Sequence, residues 1–281
     1  MEENFRRYPI GIQNFEDLRN NDCVYVDKTE LIYRLTHTNK VYFLSRPRRF
    51  GKSLLVSTLE AYFLGKKELF QGLAMETLEK DWTVYPVLHF DFSVSKYITA
   101  DMLSAVINRQ LLLWEKIYQR EEGETTFSLR FEGIIRRAYK QTGKQVVVLI
   151  DEYDSPMLDS NHNDEVQKEI RNIMRDFFSP LKAQGQYLRF LLLTGISKFS
   201  QMSIFSELNN LQNIYQESGS TGRKPKIGIL LLCECIEQTE WIINIFTVLT
   251  EMIAVILLFQ MYTGFLVCFF VGLRHLFNIN L

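Results

Sequence analysis

Up to Leu211 the apolar residues of this chain fall into two alternating kinds of run. Four are short, nearly continuous and rich in β-branched or aromatic side chains: 40–45, 86–92, 145–150 and 189–194. That pattern predicts strands buried on both faces. Between them lie longer stretches in which apolar and charged residues interleave at helical spacing, predicting helices over 53–64, 100–120, 129–142 and 164–183. Strands that alternate with helices imply a mostly parallel sheet covered by helices on both sides. The expected organisation is therefore one α/β domain over 1–211.

The pattern changes after Leu211. A polar connector, 212–226, leads into an apolar tail, 227–281, in which no Lys or Arg occurs between 227 and 273. Residues 252–273 carry no charge of either sign, which meets the length rule for a membrane span.

Composition narrows the partners. A formal net charge of −1 gives no general pull toward nucleic acid, so a nucleic-acid partner is not supported. Four cysteines without CxxC spacing fit a reduced, intracellular chain rather than a disulfide framework or a zinc site. The segment from Met1 to Tyr8 is charged and lacks an apolar core, so no secretory signal is read there and the expected location is cytoplasmic, with membrane association through 252–273 as the alternative.

Chemistry enters at two strand ends. The first apolar run passes into Ser45-Arg46-Pro47-Arg48-Arg49-Phe50-Gly51-Lys52-Ser53 and then a helical pattern from Leu54. Strand, loop, helix is the context of a phosphate loop, where unsatisfied N–H groups and the helix dipole favour an anion. In that role Arg49, Phe50, Gly51, Lys52, Ser53 and Leu54 are the nucleotide contacts. Gly51 lets the backbone approach, Lys52 reaches the β- and γ-phosphates of ATP, and Ser53 ligates Mg. The strict pattern fails in one place, because Arg46 stands where a glycine is usual. Taken alone, Gly-Lys-Ser also fits an ordinary helix start with a solvated lysine.

The second strand end is Val146-Val147-Val148-Leu149-Ile150-Asp151-Glu152-Tyr153-Asp154. It puts two acids at the carboxyl edge of the sheet, where open α/β folds bind ligands. Asp151 is the candidate metal residue, with Ser53, and Glu152 the candidate that polarises the attacking water. The bland reading is a buried strand leaving through a polar turn. What that reading does not explain is the order of the elements, with a further strand ending at Thr194 and Ser197, of which Thr194 is the first candidate to sense the γ-phosphate. Arg46, Arg48 and Arg49 could clamp phosphate or act in trans in a homo-oligomer, though solvation or pairing with acids accounts for most of them. Asp91 could join the metal site or serve a structural hydrogen bond. His89 reads as a packed residue.

These motifs, together with Tyr25-Val26-Asp27-Lys28-Thr29 and His89-Phe90-Asp91-Phe92-Ser93, resemble the AAA-ATPase-like family of bacterial proteins from Arg7 to about Leu211. The resemblance accounts for Arg46, since the family's loop is similar to Arg-Pro-Arg-Arg-Phe-Gly-Lys-Ser. It implies a P-loop NTPase fold of the AAA+/ASCE type, in which an extra strand separates the phosphate-loop strand from the acidic one. It also implies Mg-dependent binding and hydrolysis of ATP, with Gly51, Lys52 and Ser53 on the nucleotide and Asp151 and Glu152 on metal and water. Family members continue into a helical lid and a PD-(D/E)XK nuclease-like domain, whose chemistry does not carry over because no Asp occurs from 212 to 281. The tail fits three readings: a membrane anchor, an extension of the core, or translation in a shifted frame, which accounts for the most. The functional alternatives are accordingly an inactive nucleotide-binding remnant of a larger ATPase, or a membrane-anchored ATPase.

Overall fold

The fold was analysed in a computed structural model, which describes residues 7–197 and the backbone of 212–213. These all belong to the first of two units of the chain, 1–230. The connector, apart from those two residues, and the whole tail lie outside the described residues, and with them the span at 252–273.

In chain order the elements are α1 (Phe15–Asn20), α2 (Thr29–Thr38), β1 (Val41–Ser45), α3 (Lys52–Phe63), a 3-10 turn (Lys67–Phe70), α4 (Ala74–Leu78), β2 (Val87–Asp91), α5 (Ala100–Tyr118), α6 (Phe127–Thr142), β3 (Val146–Asp151), α7 (Ser155–Asp159), α8 (Asp164–Phe178), α9 (Pro180–Ala183), β4 (Leu188–Gly195) and β5 (Gln212–Asn213). All strand pairs are parallel and the sheet order is β2-β3-β4-β1-β5. The chain is thus an α/β protein with a helix-covered parallel sheet, consistent with a P-loop-like fold. β4 lies between β1 and β3, so the phosphate-loop strand and the acidic strand are not neighbours.

The four apolar runs become β1 to β4 within one or two residues of the expected bounds. The expected helices form too, and local chemistry moves their ends. The side chain of Thr126 accepts from the Leu129 N–H, so α6 starts at Phe127 rather than 129, and Gly143, left-handed at φ 65°, ends it. The expected helix over 164–183 breaks at Ser179, because Pro180 has no N–H to donate to the preceding turn. α5 stops at Tyr118, where Gln119 turns to φ 65°. Four short elements, α1, the 3-10 turn, α4 and α7, have too few residues to show a period, and the ten-residue α2 is not among the expected helices either. Asp27 and Thr29 join α2 to α4: Asp27 accepts from the N–H groups of Thr29 (2.8 Å) and Ala74 (2.7 Å), and Thr29 Oγ1 accepts from Met75 N (2.9 Å). The Tyr-Val-Asp-Lys-Thr motif is therefore a staple between α2 and α4.

Alternation along the strands divides the core into two layers. Val146, Val148 and Ile150 of β3 face the larger cluster, with Phe90, Leu191 and Leu193 from neighbouring strands and Ile107, Ile134, Met174 and Phe177 from α5, α6 and α8. On the other face α3 packs, with Phe63 5.2 Å from the ring of Phe190. The first layer centres on Phe177, which is fully buried, stacks on Phe131 at 5.0 Å and meets Phe90 edge-on at 5.2 Å. Removing that ring leaves a cavity that three elements cannot close together. Phe177→Ala is expected to destabilise the fold by about 3–5 kcal/mol, read as a lower urea midpoint at unchanged slope.

Candidate nucleotide site

The junction of β1 and α3 is held open by backbone conformation. Gly51 caps α3 at φ 69°, ψ 18°, a left-handed setting that glycine adopts without a Cβ penalty. Arg49 (φ 70°) and Glu152 (φ 51°) take left-handed backbone without that advantage, and such settings cost on the order of 1–3 kcal/mol each. Both strained residues border the same cleft, of about 880 Å³.

Lys52 points across this cleft edge and is only 4% exposed. Its Nζ donates to the carbonyl oxygens of Arg46 and Pro47, both at 3.1 Å, and lies 3.1 Å from Glu152 Oε1. The lysine of the loop and the glutamate that ends the acidic strand, 100 residues apart in sequence, thus meet directly. Burial pushes the Glu152 carboxyl above its ordinary value of 4.5. Lys52 pulls it down through its hydrogen bond and charge, and the charges of Asp151 and Asp154 push it up again.

Asp151 is buried beside Thr194. Ile150 pairs with Leu193 in the ladder, so the next residues of the two strands come side by side. The Thr194 hydroxyl donates to Asp151 Oδ1, which also accepts the N–H of Glu152 at 3.0 Å. Neither bond falls on Oδ2. Thr194 is fully buried and engaged with this carboxylate. Arg48, Arg49, Gly51, Lys52, Ser53, Leu54 and Glu152 line the cleft, whereas Phe50, Asp151 and Thr194 do not. Asp91 accepts the Ser93 N–H at 2.7 Å, and His89 Nδ1 lies 3.0 Å from Glu60 Oε2.

Sequence reasoning missed two parts of the site. One wall of the cleft comes from Ile10, Gly11, Ile12 and Gln13, which precede every recognisable element. The other missed part is Asp154. It is fully buried, and its Oδ2 accepts from the N–H groups of Ile196 (2.9 Å) and Ser197 (2.5 Å). The Gly195 carbonyl takes the Arg46 N–H at 2.9 Å, and the Ile196 carbonyl takes the Ser45 hydroxyl at 2.9 Å. Asp154 therefore fixes the turn on which the phosphate loop begins. A Cβ on Gly195 would meet Asp154 Oδ1 and the Tyr153 ring, each at 2.5 Å, so the turn admits no larger residue without displacement. The Asp-Glu-Tyr-Asp run carried the signal, but nothing in it separated a clamp from a turn.

A family model described as "Predicted AAA-ATPase" matches residues 9–205. The chain belongs to the AAA-ATPase-like family. The match covers the loop, the acidic strand and the Asp154 clamp together. A protein described as "Uncharacterized protein in vnfD 5'region", from Azotobacter chroococcum mcd 1, is 40% identical over 215 residues, which is 76% of this chain and 42% of that protein. The chain thus spans less than half the length of that relative. No solved structure matches. Among the described residues of this AAA-ATPase-like chain, no helix is long and apolar enough to cross a membrane.

The raised Glu152 carboxyl gives the AAA-ATPase-like fold a pH signature. Between the ordinary and the folded value the folded state binds more protons than the unfolded one, so this group's contribution to stability is present at low pH and is lost as pH rises through the folded value. Unfolding free energies of the parent minus those of Glu152→Gln should therefore decline as pH rises from about 4.5, with a slope no steeper than about 1.4 kcal/mol per unit. Urea titrations at half-unit steps measure it, and a flat or rising difference would refute the assignment.

Proposed function

We propose that this AAA-ATPase-like domain binds ATP with Mg and hydrolyses it, in a fold of the AAA+/ASCE type. The observation that carries the reading is the meeting of Lys52 and Glu152 at 3.1 Å on one cleft at the carboxyl edge of the sheet. The position of β4 between β1 and β3 supports the fold type, since the resemblance implies an inserted strand there. Nucleotide binding in general follows from the family; ATP as the nucleotide, the metal and the hydrolysis are this proposal.

The donor set fits Mg better than a metal with an all-protein cage. Among the described residues no group of three or more His, Cys, Asp or Glu side chains could hold a metal. Mg binds through one or two protein oxygens, waters and substrate phosphates, which asks only for Ser53 on the cleft and Asp151 behind it. When bound, Mg neutralises charge on the β- and γ-phosphates. Asp151 keeps Oδ1 on Thr194 and the Glu152 N–H, which leaves Oδ2 as the oxygen that would help to hold Mg together with Ser53. Thr194 acts through Asp151 by holding its orientation. The first N–H groups of α3 face the phosphates, Gly51 admits them, and Lys52 binds the γ-phosphate. Arg49 and Leu54 border the nucleotide, and Phe50 stands between the two left-handed residues Arg49 and Gly51 without lining the cleft. Glu152 accepts a hydrogen bond from the attacking water and orients it in line with the γ-phosphate.

Lys52→Ala is expected to weaken binding of a fluorescent ATP analogue on the order of a hundredfold. Ser53→Ala should weaken Mg-ATP more than metal-free ATP, and equal losses would remove its metal role. Glu152→Gln should retain Mg-ATP binding while phosphate release falls by about two to four orders of magnitude. Parent-like turnover in that variant would exclude Glu152 as the residue that orients water.

A further inference from the structure

We propose that Glu152 is also a built-in competitor for phosphate: it holds Lys52 until an incoming phosphate displaces it, and that displacement delivers the carboxylate to the water. This deepens the nucleotide reading and rests on it.

An ammonium group has three N–H donors, and Lys52 has three acceptors at 3.1 Å: the Arg46 carbonyl, the Pro47 carbonyl and Glu152 Oε1. A phosphate oxygen can reach this nitrogen only by exchange with one of them. The two carbonyls belong to the loop that bends around the same lysine, and losing either would unseat the loop itself. Glu152 is different, because it is an anion. Phosphate entering the cleft repels the carboxylate and attracts the ammonium, so the charge that arrives selects the bond that breaks.

The backbone around Glu152 permits this exchange by side-chain rotation alone. Its N–H is held by Asp151 Oδ1 at 3.0 Å, its carbonyl takes the Ser155 N–H at 3.0 Å, and the next N–H, that of Tyr153, goes to the Thr194 carbonyl at 3.0 Å. The main chain is fixed on both sides in a left-handed setting. The side chain borders a cleft that is also lined by Ser93 and Ser155, whose hydroxyls can receive the released carboxylate. Held on Lys52, Glu152 has one oxygen committed to an ammonium whose charge lowers the basicity of the whole carboxylate toward water. Released by phosphate, it regains that basicity. Binding and the arming of the base are then one event, which limits water activation to the phosphate-loaded site.

The test uses the full chain and two variants. Glu152→Gln removes the charge at nearly constant shape. Glu152→Asp keeps the charge but is one methylene too short for Lys52, and Asp tolerates left-handed backbone better than Glu. Acylation of Lys52 by an amine-reactive ester, followed by mass spectrometry, should be several-fold faster in both variants than in the parent. A non-hydrolysable ATP analogue should protect Lys52 in all three. Its affinity should rise about tenfold in Glu152→Gln and less in Glu152→Asp, where the repulsion remains. Equal labelling in parent and variants, with equal affinity, would overturn the competitor while leaving nucleotide binding intact. Faster labelling without a gain in affinity would also overturn it, since a bond that phosphate need not displace is no competitor. An analogue that neither binds nor protects any of the three proteins would overturn the nucleotide reading and the competitor with it.

Discussion

An ammonium group that is almost wholly buried at the edge of an apolar sheet needs acceptors for each of its protons, and Lys52 has them in two carbonyls and a carboxylate. Much of the site's form follows from that requirement. The loop from Arg46 to Gly51 curls so that two carbonyls point inward, which needs left-handed backbone at Arg49 and Gly51. The carboxylate comes from the end of β3, which needs left-handed backbone at Glu152. Strain at two non-glycine positions is thus tied to the neutralisation of one buried charge.

The loop cannot curl on its own, and the sheet order explains what holds it. Because β4 lies between β1 and β3, the turn after β4 is the natural bridge from the phosphate loop to the acids. Asp154 grips that turn through Ile196 and Ser197, and the turn's carbonyls hold Ser45 and Arg46 in place. Gly195 lets the two halves close, since any side chain there would strike Asp154 and Tyr153. Asp151 and Thr194 pin the adjacent strand ends to one another. Fold and site share these contacts, so a change that loosens the turn reaches Lys52 through the loop.

Strands and long helices were legible because burial imposes period on sequence. A strand covered on both faces has to be apolar throughout, as 146–150 is, and α6 and α8 each bury one stripe. Of the elements before β2, α1, the 3-10 turn and α4 have four to six residues, too few turns to show a stripe, whereas α2, with ten, buries Ile32 and Leu35 on one side between polar neighbours. Their placement rests on side-chain hydrogen bonds such as those of Asp27 and Thr29, which carry no periodic signature.

For the site, the sequence by itself determined which residue types stand at the two strand ends: a Gly-Lys-Ser after β1 and an Asp-Glu after β3. Local chemistry suffices there, because a glycine at a strand-to-helix junction and acids at a strand exit are properties of neighbouring residues. The tertiary structure alone decided that Lys52 and Glu152 bond to each other, that Thr194 turns to Asp151, that Asp154 clamps the turn beside Gly195, and that residues 10–13 wall the cleft. Each of these joins residues tens to more than a hundred positions apart. Their geometry depends on the parallel register and on the strand inserted between β1 and β3, which no local pattern contains.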